Sequence, residues 1–232
     1  MREALRSGQP LHKLILARGM TPSVRRELIS LARRQGVPVQ EVARARFDTL
    51  APGAAHQGVL AVAAEQAYVA VEELLTAEGS PLVLVLNEIQ DPHNLGAILR
   101  TAEAAGCTGA VISTRRAAGV TPAVVKASAG AVGYLRVARV TNIAQTLRFF
   151  KENGFWVVGA DPGGDRLYWE ADLQGPLVLV IGGEDRGLGR VVRGECDHLV
   201  RVPMYGRVGS QNASVAAALL IYEAVRQRSG RK

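Results

Sequence analysis

Apolar positions along this chain follow two different habits. Up to about residue 65 they come in short, broken runs. "KLILARG" reads as a strand. In "TPSVRRELISLARRQG" the apolar residues take helical spacing, with Thr21 as N-cap, Pro22 at the first helical position and Gly36 as the stop. "VPVQEVA" and "QGVLAVAA" are two further short strands, β-branched or alternating. These elements predict a small α/β domain over residues 1–66. "EQAYVAVEELLTAEGSP" follows as a connection with a little helix in it, so residues 67–80 are read as a linker.

From Pro81 the pattern becomes regular. "PLVLVLNEI" is almost continuously apolar, the mark of a parallel strand buried on both faces. Helices are predicted at "NLGAILRTAEAAG", "TPAVVKASAG" and "NIAQTLRFFKENG". Strands are predicted at "GAVIS", "GYLRVARV", "FWVVGAD", "PLVLVIGG" and "HLVRVPM", before a last long helix. Strands alternating with helices predict an open, mostly parallel α/β sheet over residues 81–232.

Composition narrows the picture. With 232 residues, 48% of them hydrophobic, the chain can bury one good core or a main domain plus a small one. Aromatic residues are only 5%, which favours α/β over a sandwich. The formal charge of +7 points to an anionic partner, nucleic acid first. Cys107 and Cys196 are the only cysteines, so no disulfide framework or zinc spacing exists. The four histidines, His12, His56, His93 and His198, are scattered, and no metal is expected. "MREALRSGQP" has no apolar core of a signal peptide, and "PLVLVL" and "GPLVLVIGG" are too short to span a bilayer. A cytoplasmic protein with no membrane contact is the expectation.

In open parallel sheets, ligands bind beyond the carboxyl ends of the strands. Three loops of the second domain fall there. In "NEIQDPHNLGAILRTAEAAG", Asn94 sits where an N-cap belongs. Leu95, Ile98, Leu99, Ala102 and Ala105 share one face of the helix, with Arg100 roughly opposite. The loop lacks the glycine spacing of a dinucleotide site and the ending of a P-loop. In "VIGGEDRGLG", Gly182 and Gly183 follow a strand, ahead of Glu184, and would let backbone approach a ligand closely. In "VPMYGRVGSQNASVAAALLIYEAVRQR", Asn212 or Ser214 could cap the final helix, which leaves Ser210 without a structural task.

Taken in order, "DPHNLGAILRTAEAAGC", "LVIGGEDRGL" and the "VPMYGRVGSQNASVAAALLIYEAVRQR" stretch resemble the three motifs of the SpoU, or TrmH-type, RNA 2′-O-ribose methyltransferases. "GVPVQEVARARFDTLAPGAAHQGVLAVAA" is similar to the end of the small L30e-like domain of the ribosomal branch. That branch usually has a strand and helix ahead of "REALRSG", so the resemblance implies a first domain partly missing or completed differently. The closest likeness is to enzymes that methylate a guanosine in the peptidyl-transferase loop of 23S rRNA. The family implies a deep trefoil knot in the second domain, S-adenosyl-L-methionine bound within it, and a homodimer packed through the knot helices.

Carried over by residue, the resemblance makes Asn94, Arg100, Glu184, Ser210 and Asn212 the catalytic set. It places Gly159, Ala160, Gly182, Val202 and Gln211 against the methyl donor. Gln211 departs from the leucine usual in the family; a backbone contact there would tolerate it, whereas a leucine packed on adenine would leave donor affinity weaker here. The family assigns Arg100 as general base. A guanidinium stays protonated in proteins and grips phosphate in two places, which favours a clamp on phosphate or on the developing oxyanion. Glu184 would hold Arg100 or Asn94, and Ser210 would relay a proton. The competing readings are a tRNA methylase of the same family, a resistance methylase acting on a 23S adenosine, and a non-catalytic RNA-binding protein.

Overall fold

Side chains on a strand alternate between its two faces, so a central strand that is apolar at every position must be covered on both. The central strand of the larger sheet is of this kind up to its final asparagine, and that of the smaller sheet is so over its last four residues. A computed structural model describes all residues except 7–10, 51, 53–55, 64–67, 77–78, 185–186 and 231–232, and it divides into two compact units, Met1–Ala67 and Tyr68–Lys232.

The first unit runs α1 (Arg2–Arg6), β1 (Leu11–Ala17), α2 (Pro22–Arg34), β2 (Val39–Val42), α3 (Arg44–Leu50) and β3 (Val59–Ala63). Its sheet has the order β2-β1-β3, with β1 parallel to β2 and antiparallel to β3. Leu14 and Leu16 of β1 pack with Leu5, Leu28 and Ala32 of α1 and α2. Ile15 and Ala17 face the other way, toward Phe47 of α3. Thr21 stands at the N-cap of α2 as expected, although its side chain makes no capping bond. The sequence reading missed α1 and α3, which are short and bury only Ala4 and Leu5, and Phe47, respectively.

The second unit opens inside the stretch read as a linker. A 3-10 turn at Val71–Leu74 buries Leu74 in this unit's core, and Val69 bridges to Ala138. The rest is β4 (Leu82–Asn87), α4 (Pro92–Ala104), β5 (Gly109–Ser113), α5 (Pro122–Ala127), β6 (Arg136–Val140), α6 (Ile143–Glu152), β7 (Trp156–Ala160), β8 (Arg166–Leu167), β9 (Leu177–Gly182), α7 (Gly189–Glu195), β10 (His198–Arg201) and α8 (Ala213–Ser229). Seven strands form one sheet, ordered β6-β5-β4-β9-β7-β10-β8, and every pairing is parallel.

Alternation divides the core in two. Leu82, Leu84 and Leu86 of β4 and Leu177, Leu179 and Ile181 of β9 point to the side covered by α4, α5 and α8. Val83, Val85, Val178 and Val180 point to the side of α6 and α7. Gly96 lets α4 lie directly on α5, since a Cβ there would stand 2.4 Å from that of Ala127. At the far end of α8, Arg228 donates to the carbonyls of Ser80, Leu173 and Gly175, pinning the helix. From β4 the chain adds strands outward on one side, through β5 to β6, and then crosses to the other. The reversal falls between β4 and β9, where doubly wound sheets bind their ligands.

Candidate active site

Two glycines bring the loops after β4 and β9 together. Asn87 pairs with Gly182 at the last rung between these strands. A Cβ on Gly183 would lie 2.4 Å from the carbonyl oxygen of Glu88, and one on Gly182 would lie 2.2 Å from the backbone of Gly187. These glycines are thus required for the close packing of the two loops, since the space a side chain would take is filled by the protein's own backbone. Asn87 fixes the same junction by donating to the carbonyl of Leu188 at 3.2 Å. Glu88 takes a left-handed conformation at φ 59, a strained one for a side chain with a Cβ, in the turn that sends the chain toward α4.

That turn ends in a capped helix. Asp91 is the N-cap of α4 and accepts from the backbone N–H groups of His93 and Asn94, with Pro92 in the first turn. Asn94 is thus not the cap, as its position had suggested. Its side chain is free for other work, and its amide donates to Oε1 of Glu184. Asn212 completes a triangle. Its Nδ2 donates to Oδ1 of Asn94 at 3.0 Å and to Oε1 of Glu184 at 3.4 Å. Its Oδ1 accepts from the N–H groups of Ser214 and Val215, so Asn212, not Ser214, caps α8. One asparagine side chain therefore fastens the final helix with its oxygen and reaches the triangle with its nitrogen.

Arg100 and Ser210 stand outside this triangle. Arg100 is exposed on α4 and makes no ion pair or hydrogen bond among the described residues. Six residues separate it from Asn94, about 9 Å along the helix axis and a third of a turn around it. Glu184 accordingly holds Asn94 and Asn212, not Arg100. Ser210 is exposed, with no bond among the described residues, and Gln211 accepts from the N–H of Asn212 through its side-chain oxygen.

Four of the five residues expected at the donor, all but Gln211, cluster by strand geometry. Ala160 pairs with Ile181 on one side and with Val200 on the other, so Ala160, Gly182 and Val202 lie at the carboxyl ends of three neighbouring strands, β7, β9 and β10. Gly159 is buried one residue earlier, where a Cβ would meet Cys196 and Leu188 at 2.7 Å each. Its lack of a side chain serves the packing of α7. From Val202 to Gln211 the chain makes no backbone hydrogen bond among the described residues, which leaves a run of free amides and carbonyls beside those strand ends. No group of three His, Cys, Asp or Glu able to hold a metal occurs among the described residues. Burial pushes both thiols, Cys107 and Cys196, up to about 12.

Comparison with known proteins agrees over the whole chain. The profile of the SpoU rRNA Methylase family matches residues 81–222, and that of RNA 2′-O ribose methyltransferase substrate binding matches residues 1–69. YacO of Bacillus subtilis (strain 168), placed in the TrmH family of tRNA/rRNA methyltransferases, is 46% identical over 231 residues, covering 98% of this chain and 92% of its own. The SpoU methyltransferase AviRb from Streptomyces viridochromogenes, solved with AdoMet, superposes with a TM-score of 0.84 at 28% identity, over 99% of this chain and 88% of that one. An AdoMet-bound rRNA methyltransferase from Sinorhizobium meliloti gives 0.83 at 28% identity, over 97% and 83% of the two chains.

Proposed function

Because this chain belongs to the SpoU family of RNA methyltransferases, we propose that it transfers a methyl group from S-adenosylmethionine to the 2′-oxygen of a ribose in 23S rRNA, with a guanosine as the target. The observation that carries the reading is the meeting of Asn94, Glu184 and Asn212 at the reversal point of the sheet, from positions 90 and 118 residues apart. The surroundings fit the donor. Free backbone groups of Val202 and Gln211, at the two ends of this loop, and the ends of β7, β9 and β10 offer what an adenosyl group requires, hydrogen bonds without a dedicated charge. Gly206 and Gly209 have nothing within 4 Å of where a side chain would project, so the loop has room to close on a ligand.

When bound, S-adenosylmethionine supplies a methyl that is electrophilic without further activation. What remains for the protein is to align the ribose oxygen and to ease loss of its proton. Alignment is worth roughly 7–11 kcal/mol and a positioned base about 10²–10⁴-fold. Arg100 meets the phosphate beside the target ribose with its planar fork and stabilises the developing oxyanion; among the described residues none takes up its donors. The triangle holds the start of α4 against the start of α8, which fixes the strand-end loops between them. Ser210, exposed and with no bond among the described residues, passes the proton outward to solvent.

The first unit presents the RNA. It carries ten Lys and Arg against five Asp and Glu up to residue 67, most of the chain's surplus charge. The active form in this reading is a cytoplasmic homodimer. Val215 and Tyr222 of α8 are 42% and 51% exposed beside Ala218, Leu219 and Tyr168, an apolar strip that a second copy covers. The trefoil knot implied by the sequence resemblance belongs to the same reading. Mapping 2′-O-methyl groups in rRNA and tRNA from a deletion strain tests the substrate: loss of one mark in 23S rRNA is expected, and loss of a tRNA mark instead would overturn that choice. Light scattering at micromolar concentration is expected to give twice the chain mass, and a monomer would refute the dimer.

A further inference from the structure

The loop that joins β10 to α8 carries an aromatic ring in the open. Tyr205 is 91% exposed, with Met204 and Val208 beside it at 39% and 68%. A tyrosine ring left in water forgoes the stabilisation that burying it would bring, so a ring held out on a loop invites a partner. Two features show what kind. From Arg201 to Asn212 the chain has no acidic residue. Arg201 is committed to the carbonyl of Gly164 at 2.7 Å, but Arg207 is exposed and makes no ion pair or hydrogen bond among the described residues. The loop thus offers a bare ring and a bare guanidinium two residues apart, and it runs directly into Ser210 and Asn212. Tyr205 lies seven residues from Asn212, at most about 25 Å along an extended chain.

We propose that Tyr205 is a base-stacking residue of the RNA site, lying against an unpaired base beside the methylated nucleotide, with Arg207 on the adjoining phosphate. This rests on the RNA methyltransferase reading above. Single-stranded RNA is recognised by bases splayed onto aromatic rings with cations along the backbone, the pair of groups this loop displays. A second copy of the chain fits the loop less well. A two-fold contact there would set one positively charged, acid-free segment against its own like.

The test uses the full-length protein and whichever RNA the wild type methylates, a transcript of the 23S peptidyl-transferase region or a tRNA pool, with tritiated donor. Tyr205→Ala is expected to weaken RNA affinity and raise KM for RNA by about 5- to 150-fold, the loss typical of one base stack, while kcat changes little. Tyr205→Phe keeps the ring and is expected to restore affinity. Arg207→Gln is expected to lower the slope of log affinity against log salt by about 0.7, one phosphate contact. Donor affinity by calorimetry and mass by sedimentation should match the wild type in all three variants. RNA affinity within twofold of wild type for Tyr205→Ala overturns the proposal. So does a fall in mass, which would put a second copy against the ring, or a loss of donor affinity, which would put the ring in the donor site. If the wild type methylates neither RNA, the underlying reading fails first and takes the proposal with it.

Discussion

Both units centre on a strand that is apolar toward both faces, β1 in one and β4 in the other, yet they distribute charge and polar side chains in opposite ways. Up to residue 67, ten basic residues stand against five acidic ones; after it, eighteen stand against sixteen. The small unit has little core to offer, since a short chain buries a smaller share of its surface. What it has is an outside with a single dominant sign. The large unit is close to neutral and gathers amides and a carboxylate at one point of its sheet. A field that attracts RNA can be spread over a surface, whereas chemistry on one ribose oxygen needs groups fixed to fractions of an ångström. On the function proposed above, the two requirements are met by different parts of the chain.

If that division holds, the largest effects come from Arg100. Arg100→Lys keeps the charge but loses the planar fork. It is expected to behave like Arg100→Ala, with single-turnover methyl transfer down by about 10²–10³ and donor affinity unchanged. Substantial activity with a pH optimum moved downward would instead make this residue the base. In the small unit, Arg33 and Arg34 are exposed at the end of α2 and free of ion pairs among the described residues. Replacing both with Gln is expected to reduce the salt slope of RNA binding by about 1.4–1.8 and leave the donor's affinity untouched. An unaltered slope would move the RNA surface elsewhere.

The next effect concerns stability within the large unit. Gly96→Ala forces a methyl into the contact between α4 and α5, at an expected cost of about 1–3 kcal/mol in denaturant unfolding. Because α4 carries Asn94 at its start and Arg100 on its outer face, activity should fall further than stability does. The smallest expected effect is on the thiols. With both raised to about 12 by burial, Cys107 and Cys196 should resist alkylation at pH 8 in the folded protein and react only after unfolding. Rapid labelling of either would show that its segment opens.

Much of the large sheet could be read beforehand, and the reason is physical. β4 and β9 are buried on both faces, and an unbroken apolar run of five has few other uses. α7 was invisible because its seven residues bury only Val192, and β8 because it is two residues long. The cap of α4 was misplaced at Asn94, although Pro92 in the first turn points to Asp91. The triangle lies beyond any local pattern. Asn94, Glu184 and Asn212 meet only through the strand order, so it was the family resemblance, not periodicity, that singled them out. Of the two partners expected for Glu184, Arg100 or Asn94, the fold supplies Asn94.

The separation of Asn94 from Asn212 also bears on how the protein is made. On a ribosome adding about 5–20 residues per second, the first asparagine is polymerised roughly 6–24 s before the second, 118 residues later. Through that interval β4, α4 and β9 can pair and pack while the third corner is still unwritten. A nascent or prematurely terminated chain therefore holds most of the sheet and none of the finished centre. On the function proposed above, methylation becomes available only with the last helix, and each molecule is silent until its synthesis has passed Asn212.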